Sequence, residues 1–324
     1  MYASVLLALL SFATATPTPS HGPICTDLTI PVTVTVPFLQ FLPPEFESGY
    51  EATSFLLKIS NRTSRSNGSG IFAPQKNLTK TFDIAARYCS PSRKASQGTV
   101  QLLTHGIGFD QSYWHFEYQG SHEYDYAYAA ARSGYATLSY DRLGNGASSI
   151  VDPYSEQQAQ VELAVLTQLT ALLKSGKLSD SIPVPAKVVH VGHSYGSQLS
   201  VALAATAPQL TDGIVLTGFS TNYTWMQWFA ISTIFHVAAE NQPERFGNRS
   251  FGSLTWGDKY GNQYGFLTWP FFDPGVLEQA EATKFPFAVA ELLTGGLLPA
   301  KAPEFTKPVL VSSPGLVVIV LTTL

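Results

Sequence analysis

The sequence predicts a mostly parallel, doubly wound α/β sheet with an aromatic-rich helical cap insertion. Short apolar strands alternate with helices between residues 98 and 217, which is typical of a parallel sheet covered on both faces. One of these strands runs directly into a Gly-x-Ser-x-Gly turn that opens a helix. A stretch rich in Trp, Tyr and Phe then interrupts the alternation over residues 221–283.

The composition fits this fold class and excludes some functions. The 324 residues are 45% hydrophobic and 13% charged, which suits a chain with a sizeable core and argues against disorder. The formal net charge of −4 provides no basic surface for nucleic acid. We therefore expect no nucleic-acid partner, and the motifs described below require no cofactor and no metal. The sequence leaves the oligomeric state open.

Residues 1–15 are predicted to be a signal peptide. Val5 to Phe12 form a short apolar run, and Ala13-Thr14-Ala15 resembles a cleavage site. A membrane anchor is the alternative, but the run is too short to span a bilayer. We therefore expect a secreted protein without a stable membrane span.

Five Asn-x-Ser/Thr sequons become candidate glycosylation sites in a secreted chain. The cluster within residues 61–79 indicates an exposed loop rich in Ser and Gly. The sequons begin at Asn61, Asn67, Asn77, Asn222 and Asn248.

The two cysteines, Cys25 and Cys89, favour one disulfide, because an oxidising compartment pairs an even number of thiols. This bond would join the N-terminal strand region to the segment before the first core strand. Two separate buried thiols are the alternative.

Runs of apolar and β-branched residues bounded by turn residues predict the strands. Leu28 to Val36 alternates β-branched residues, and Pro31 places it at a sheet edge. Further strands are expected at residues 53–60, 81–89, 98–104, 135–140, 187–191, 213–217 and 307–312.

Helices are predicted where apolar residues recur at helical spacing. The longest, at residues 155–174, carries such a series from Val161 to Leu172. The other helices are expected at residues 123–133, 199–207, 273–282 and 287–293. After the signal peptide, the chain then divides into the core (16–220), the cap insertion (221–283), a return to the core (284–312) and an atypical apolar tail (313–324).

Ser194 is the strongest candidate for a catalytic residue. It follows the apolar strand at 187–191, and Gly192 and Gly196 flank it because a Cβ at either position would collide with the neighbouring strand or helix. The first turn of the next helix favours negative charge that develops at this place. We interpret Ser194 as a nucleophile on a sharp turn; a structural turn serine is the alternative.

A second motif, His105-Gly106-Ile107-Gly108, follows the strand at 98–104. Acyl transfer needs two backbone donors aimed at the carbonyl oxygen as it becomes an oxyanion. The backbone N–H groups of Tyr195 and Ile107 are the candidates. We interpret His105 as a brace for its loop, with a catalytic base as the alternative.

A third motif runs from Asp141 to Ser148 and follows the strand at 135–140. Its Gly-rich turn lacks the Lys and the spacing of a phosphate-binding P-loop. We therefore interpret it as a structural loop beside the site, with Asp141 in a supporting role.

Together, the three motifs resemble in order and spacing those of the α/β-hydrolase superfamily, in its branch of esterases, lipases and peptidase-like enzymes. More narrowly, the chain is similar to secreted fungal members with an aromatic cap. The resemblance covers Leu28 to Ser312 and implies Ser194 as nucleophile, with Tyr195 and Ile107 as oxyanion donors. It implies a small apolar ester-like substrate. Because the nucleophile is Ser and not Asp, it argues against epoxide hydrolase and haloalkane dehalogenase activity.

The acid and base that this resemblance implies are not found in the sequence. The family places them after the strand expected at 307–312 and after one further strand, yet no Asp, Glu or His follows Glu304. The alternatives within the chain are His236, His193 and Asp273. We interpret His236 as a packing residue on an apolar cap helix and His193 as a side chain that points away from the site. We interpret Asp273 as a helix N-cap.

We interpret the uncharged tail as an incomplete or wrongly read C-terminus, so that the last strand and helix of the fold are missing. A GPI signal would need a polar spacer before Leu316, and a truncated pseudo-enzyme is the other alternative.

Three functions stay open: a secreted serine hydrolase of ester or related acyl bonds, inactive as written if its acid and base are truly absent; a non-catalytic binding protein; and a peptidase-like, amide-cleaving hydrolase.

Overall fold

The computed structural model describes residues 22–60, 71–92, 98–222, 226–313 and 316–320. The predicted signal peptide, Asn61 and Asn67 lie outside these ranges. The elements in chain order are β1 (Ile24–Phe41), α1 (Gly49–Ser60), β2 (Phe72–Ser90), β3 (Thr99–Thr104), α2 (Tyr126–Arg132), β4 (Ala136–Tyr140), α3 (Ala159–Ser175), β5 (Lys187–His193), α4 (Tyr195–Thr206), β6 (Gly213–Thr217), α5 (Met226–Ser232), β7 (His236–Val237), α6 (Ala238–Asn241), α7 (Pro243–Phe246), β8 (Ser253–Thr255), α8 (Lys259–Phe266), α9 (Pro274–Thr283), β9 (Phe287–Ala288), α10 (Val289–Thr294), β10 (Val309–Ser313) and β11 (Leu316–Val320).

A large sheet forms the centre of the molecule. Within the described ranges it has eight strands in the order β1-β2-β4-β3-β5-β6-β10-β11. The five neighbouring strands β4, β3, β5, β6 and β10 run parallel to one another. The pairs β1–β2, β2–β4 and β10–β11 are antiparallel. The predicted mostly parallel sheet is therefore confirmed.

Both faces of the sheet are buried, which explains why its central strands are mostly apolar. In β3, Leu102 packs in the cluster that contains Val165 of α3, whereas the next residue, Leu103, contacts Trp114 on the opposite face. Both leucines are fully buried. Burying a leucine side chain contributes roughly 1.5–3 kcal/mol, so each face stabilises the fold.

The first two strands form a long hairpin at one edge of the sheet. β1 is the edge strand, as Pro31 predicts, and Cys25 lies opposite Cys89 in the β1–β2 register. The two cysteines form a disulfide, which confirms that prediction.

The strand predicted at residues 53–60 is wrong, because these residues belong to α1. Ala52 is buried and Phe55 and Leu56 are partly buried against the core, a spacing of three and four residues that fits a helix. The predicted strand begins at Thr53 and so omits the first turn of this helix. The residues that remain form a short apolar run that resembles a strand.

Between β6 and β10 the chain leaves the large sheet. The described part of this segment contains the helices α5 to α10 and a small antiparallel sheet of β7, β8 and β9. The predicted division of the chain into core, cap insertion and tail stays a prediction. The end of the chain contributes β11, which pairs with β10 at the sheet edge.

No helix in the part of the chain that the structure describes combines the length and the apolar character needed to cross a membrane.

Candidate active site

Ser194 lies on a sharp turn between β5 and α4. Its backbone adopts φ 51° and ψ −113°, a left-handed conformation that is uncommon for a residue with a side chain. The Ser194 N–H donates a hydrogen bond of 2.9 Å to the Thr217 carbonyl oxygen at the end of β6. Strained backbone of this kind concentrates at functional sites. The turn holds Ser194, which is only partly buried, at the carboxyl edge of the sheet.

The flanking glycines are required by close packing. A Cβ at position 192 would overlap the backbone of Gly196, and one at position 196 would overlap the Thr104 carbonyl. The start of α4 therefore lies directly against the ends of β3 and β5. This contact is the physical reason for the Gly-x-Ser-x-Gly spacing.

The loop after β3 passes beside the serine. A Cβ at Gly106 would lie 3.2 Å from the Ser194 Cβ. The Tyr195 N–H is in the first turn of α4, where backbone N–H groups lack an intrahelical acceptor. The structure thus brings Ser194 beside Tyr195 and the Gly106–Ile107 peptide, and their roles as nucleophile and oxyanion donors stay predictions.

His105 is fully buried, and both of its ring nitrogens are hydrogen-bonded within this loop region. Its Nε2 accepts from the Arg142 N–H at 3.0 Å, so Nδ1 carries the proton and donates to the Gly106 carbonyl at 2.8 Å. Burial, followed by the Arg142 charge, lowers the pKa of His105 well below its usual value. These bonds leave neither nitrogen free to accept a proton from Ser194.

His193 precedes the nucleophile but faces β6. Its Nδ1 lies 3.0 Å from the Thr217 Oγ1, and its ring stacks on Tyr113 with centroids 4.7 Å apart. Burial lowers its pKa to about 4.

The two remaining alternatives for the base and acid lie elsewhere. His236 is exposed on β7, so the prediction of a packed residue on an apolar helix is wrong; β8 pairs with this segment and turns its ring outward. Asp273 caps α9 by accepting a 2.8 Å bond from the Gly275 N–H. Among the described residues, no histidine ring hydrogen-bonds to the Ser194 Oγ.

Asp141 organises the loop that follows β4. Its carboxylate accepts from the Gln111 N–H at 2.8 Å and from the Ala147 N–H at 2.9 Å. Gly146, at φ 51°, approaches so closely that a Cβ there would overlap the carboxylate. Burial raises the pKa of Asp141 to about 6 against the opposing effect of these hydrogen bonds. This arrangement is that of a structural loop.

The structure also contains a buried ionic cluster that the motifs do not identify. Arg142 is 1% exposed and donates to Glu162 of α3 at 2.8 Å and to Glu291 of α10. Glu291 in turn accepts from the Ala288 N–H at 2.6 Å and from Gln157 at 2.8 Å. The signal for this cluster is Glu162 itself, a charged residue among the buried positions of α3.

Aromatic residues from the segment after β6 cover the β3 loop. The buried Trp256 lies against Gly108, and its ring centroid is 5.2 Å from that of Phe109. A shallow, open surface depression of about 410 Å³ is lined partly by the exposed Tyr260, Tyr264 and Trp269. Ser194 is not part of its lining.

The structure describes three of the five predicted glycosylation asparagines and can be searched for metal-binding groups. Asn77, Asn222 and Asn248 are exposed. Asn77 lies on β2 rather than in the expected loop, because the strand begins at Phe72. In the described ranges, no group of three or more His, Cys, Asp or Glu side chains could hold a metal ion.

The comparison with known proteins agrees with this geometry. A family model described as the alpha/beta hydrolase family matches residues 101–321, more than half of the chain. The chain therefore belongs to the α/β hydrolase family, and this membership supports a hydrolase. No curated protein matches the sequence.

Solved structures are similar to this chain only at low identity and low TM-score. A mutant epoxide hydrolase from Vigna radiata is 17% identical over 43% of this chain and 36% of its own, with a TM-score of 0.32. Potato epoxide hydrolase I is 16% identical over 43% of this chain and 38% of its own, with a TM-score of 0.33. The chain thus spans little more than a third of these epoxide hydrolases. An N-formylmaleamic acid deformylase from Pseudomonas putida is 15% identical over 72% of this chain and 78% of its own, with a TM-score of 0.42.

Proposed function

We propose that this chain is a serine hydrolase that cleaves an ester or related acyl bond through an acyl-enzyme at Ser194. The observation that carries the proposal is the positive φ of Ser194 on a strand-turn-helix junction, directly beside Gly106 of the β3 loop. A serine hydroxyl beside the Tyr195 and Ile107 N–H groups, the two candidate oxyanion donors, would supply the nucleophile and the anion stabilisation of acyl transfer, and this supports the proposal.

In the proposed reaction, the Ser194 Oγ attacks the substrate carbonyl carbon while a base removes its proton. The Tyr195 and Ile107 N–H groups stabilise the negative charge on the carbonyl oxygen. The tetrahedral intermediate then expels the alcohol, which takes up the proton, and an acyl-enzyme remains. Water attacks this ester in the same way and releases the acid. The described residues do not identify this base, because the nearby His105 and His193 are hydrogen-bonded elsewhere.

The same histidine contacts favour a second candidate, a non-catalytic binding protein of this fold. Without a base, Ser194 would have no means of losing its proton, and removal of the histidine in a serine protease costs about 10⁶ in turnover. The exposed aromatic residues after β6, Tyr260, Tyr264 and Trp269, would then bind a small apolar molecule.

A substrate panel separates these candidates. Purified protein is incubated with p-nitrophenyl esters of increasing chain length and with matched amino-acid p-nitroanilides. Ester turnover that is lost in S194A and kept in S220A, a control at an exposed serine of the next loop, supports the proposal. Turnover of the anilides alone would favour a peptidase-like enzyme, and binding of the esters without turnover would favour the binding protein.

We also propose that the chain is a secreted glycoprotein. The Cys25–Cys89 disulfide and the exposed Asn77, Asn222 and Asn248 support this. Intact mass of the protein from a eukaryotic secretory host, before and after enzymatic deglycosylation, tests it. A mass unchanged by deglycosylation would contradict glycosylation.

A further inference from the structure

We infer that Arg142 is a positioning residue that aims the Ile107 N–H at the oxyanion of the reaction. This inference rests on the proposed function, because it assigns a task to a side chain that does not touch the substrate. Its basis is the set of contacts around one peptide group, which joins Gly106 to Ile107.

The carbonyl oxygen of Gly106 accepts two hydrogen bonds. One comes from the Arg142 Nη2 at 3.1 Å, and the other comes from the His105 Nδ1 at 2.8 Å. In a planar trans peptide, the C=O and the N–H point in opposite directions. Fixing the Gly106 oxygen from one side therefore fixes the direction of the Ile107 N–H on the other side.

Arg142 also contacts Tyr195, the other proposed donor residue. Its guanidinium lies over the Tyr195 ring, 4.8 Å from the centroid. The Arg142 side chain thus touches both proposed donors. It contacts the ring of Tyr195, and it binds the Gly106 carbonyl, whose peptide group contains the Ile107 N–H. The backbone N–H of Arg142 adds a third link, since it sets the tautomer of His105 through the 3.0 Å bond to Nε2.

Two buried glutamate side chains hold the guanidinium in this position. Its Nη1 donates to both oxygens of Glu162, at 2.8 and 2.9 Å, and to Glu291. Arg142, Glu162 and Glu291 are each 2% exposed or less. Replacing a buried ion cluster by apolar residues is often neutral or stabilising, so such a cluster is weak evidence for a role in stability alone. The planar guanidinium donates to both glutamates and to the Gly106 carbonyl at the same time. This arrangement requires Arg, because a lysine ammonium lacks the planar fork of donors.

The test measures kcat, KM and the rate of fluorophosphonate labelling for the wild type, R142K, R142Q and E162Q. H190Q is the control, because His190 is equally buried in β5 but bonds only to Thr170 on α3 among the described residues. Loss of an oxyanion donor costs about 10²–10³ in kcat. A misdirected donor is therefore expected to lower kcat about 10- to 100-fold in R142K and R142Q, with KM changed less than threefold.

The outcomes separate the inference from the proposed function. A wild type that neither turns over esters nor labels at Ser194 would contradict both. A reactive wild type with R142K at wild-type kcat would overturn the inference alone, since Lys keeps the charge but not the fork. Should the Arg142 variants fail to fold, E162Q weakens one anchor, since only one of the two acceptor oxygens remains, and leaves Arg142 in place. It is then expected to lower kcat about 3- to 10-fold below that of H190Q, and equal kcat in the two would overturn the inference.

Discussion

Gly108 lies directly against the indole of Trp256, so that a Cβ at position 108 would overlap the six-membered ring. Gly108 also has a φ of 78°, which disfavours any residue with a side chain. This contact joins the loop after β3 to the aromatic segment that follows β6. The proposed oxyanion loop therefore depends on a residue that lies more than a hundred positions away in the sequence.

G108A is expected to destabilise the protein more than G120A. Gly120 has a similar φ of 74°, but a Cβ placed there would meet no atom of the described residues within 4 Å, so it isolates the backbone cost. That cost is roughly 1–2 kcal/mol, and overlap with Trp256 adds roughly 1–3 kcal/mol. Urea unfolding of both variants measures the difference. Equal free energies of unfolding would show that Trp256 moves aside at no cost.

The stability of the wild type is expected to fall between pH 7 and pH 9. Burial raises the pKa of Glu162 from 4.5 to about 8. The folded protein therefore holds a proton that the unfolded chain releases, and this stabilisation is lost as the pH rises through 8. The free energy of unfolding is therefore expected to be lower at pH 9 than at pH 7.

E162Q isolates this effect, since its amide does not titrate. Free energies of unfolding in urea at pH 7 and pH 9 are compared for the wild type and the variant. We expect E162Q to change less than the wild type. Identical pH dependence in the two proteins would assign the proton to another group.

The rings of His105 and His193 are expected to stay neutral between pH 5 and pH 8. Burial is the main cause of the lowered pKa of both rings. Long-range ¹H–¹⁵N spectra of the imidazoles, assigned with H105Q and H193Q, report charge and tautomer. His105 is expected to carry its proton on Nδ1 at every pH. A titration of either ring near pH 6.5 would contradict these contacts.

Removal of the disulfide is expected to destabilise the protein without unfolding the sheet. Cys25 and Cys89 are 64 positions apart, and closing a loop of this size contributes about 2–4 kcal/mol. The C25S/C89S double variant and the reduced wild type are compared by thermal unfolding. Both are expected to lose several degrees in Tm by similar amounts. A Tm unchanged in both would mean that the β1–β2 pairing already restrains this loop.

The order of the core elements could be predicted from the sequence because local signals and burial agree there. The central strands are apolar on both faces, and the turn at Ser194 needs glycines at fixed positions, so each leaves a local pattern. α1 could not be predicted correctly, because its apolar residues form a run that fits both a strand and a helix. The tertiary contacts of Ala52 and Phe55 decide between them.

The remote parts of the site leave weaker traces in the sequence. Arg142, Glu162 and Glu291 come from the loop after β4, from α3 and from α10, and only the packing of these segments brings them together. The contact between Gly108 and Trp256 is equally non-local. His236 shows the converse, since an apolar neighbourhood in sequence predicts burial while the pairing of β7 with β8 leaves it exposed.

The most direct test of the central claim is the site of fluorophosphonate labelling. The wild type, S194A and S220A are treated with the probe, digested and mapped by mass spectrometry, with circular dichroism as a check on folding. We expect one adduct per chain on Ser194 in the wild type and in S220A, and none in S194A. A folded wild type that stays unlabelled, or an adduct that persists in S194A, would contradict the assignment of Ser194 as the nucleophile.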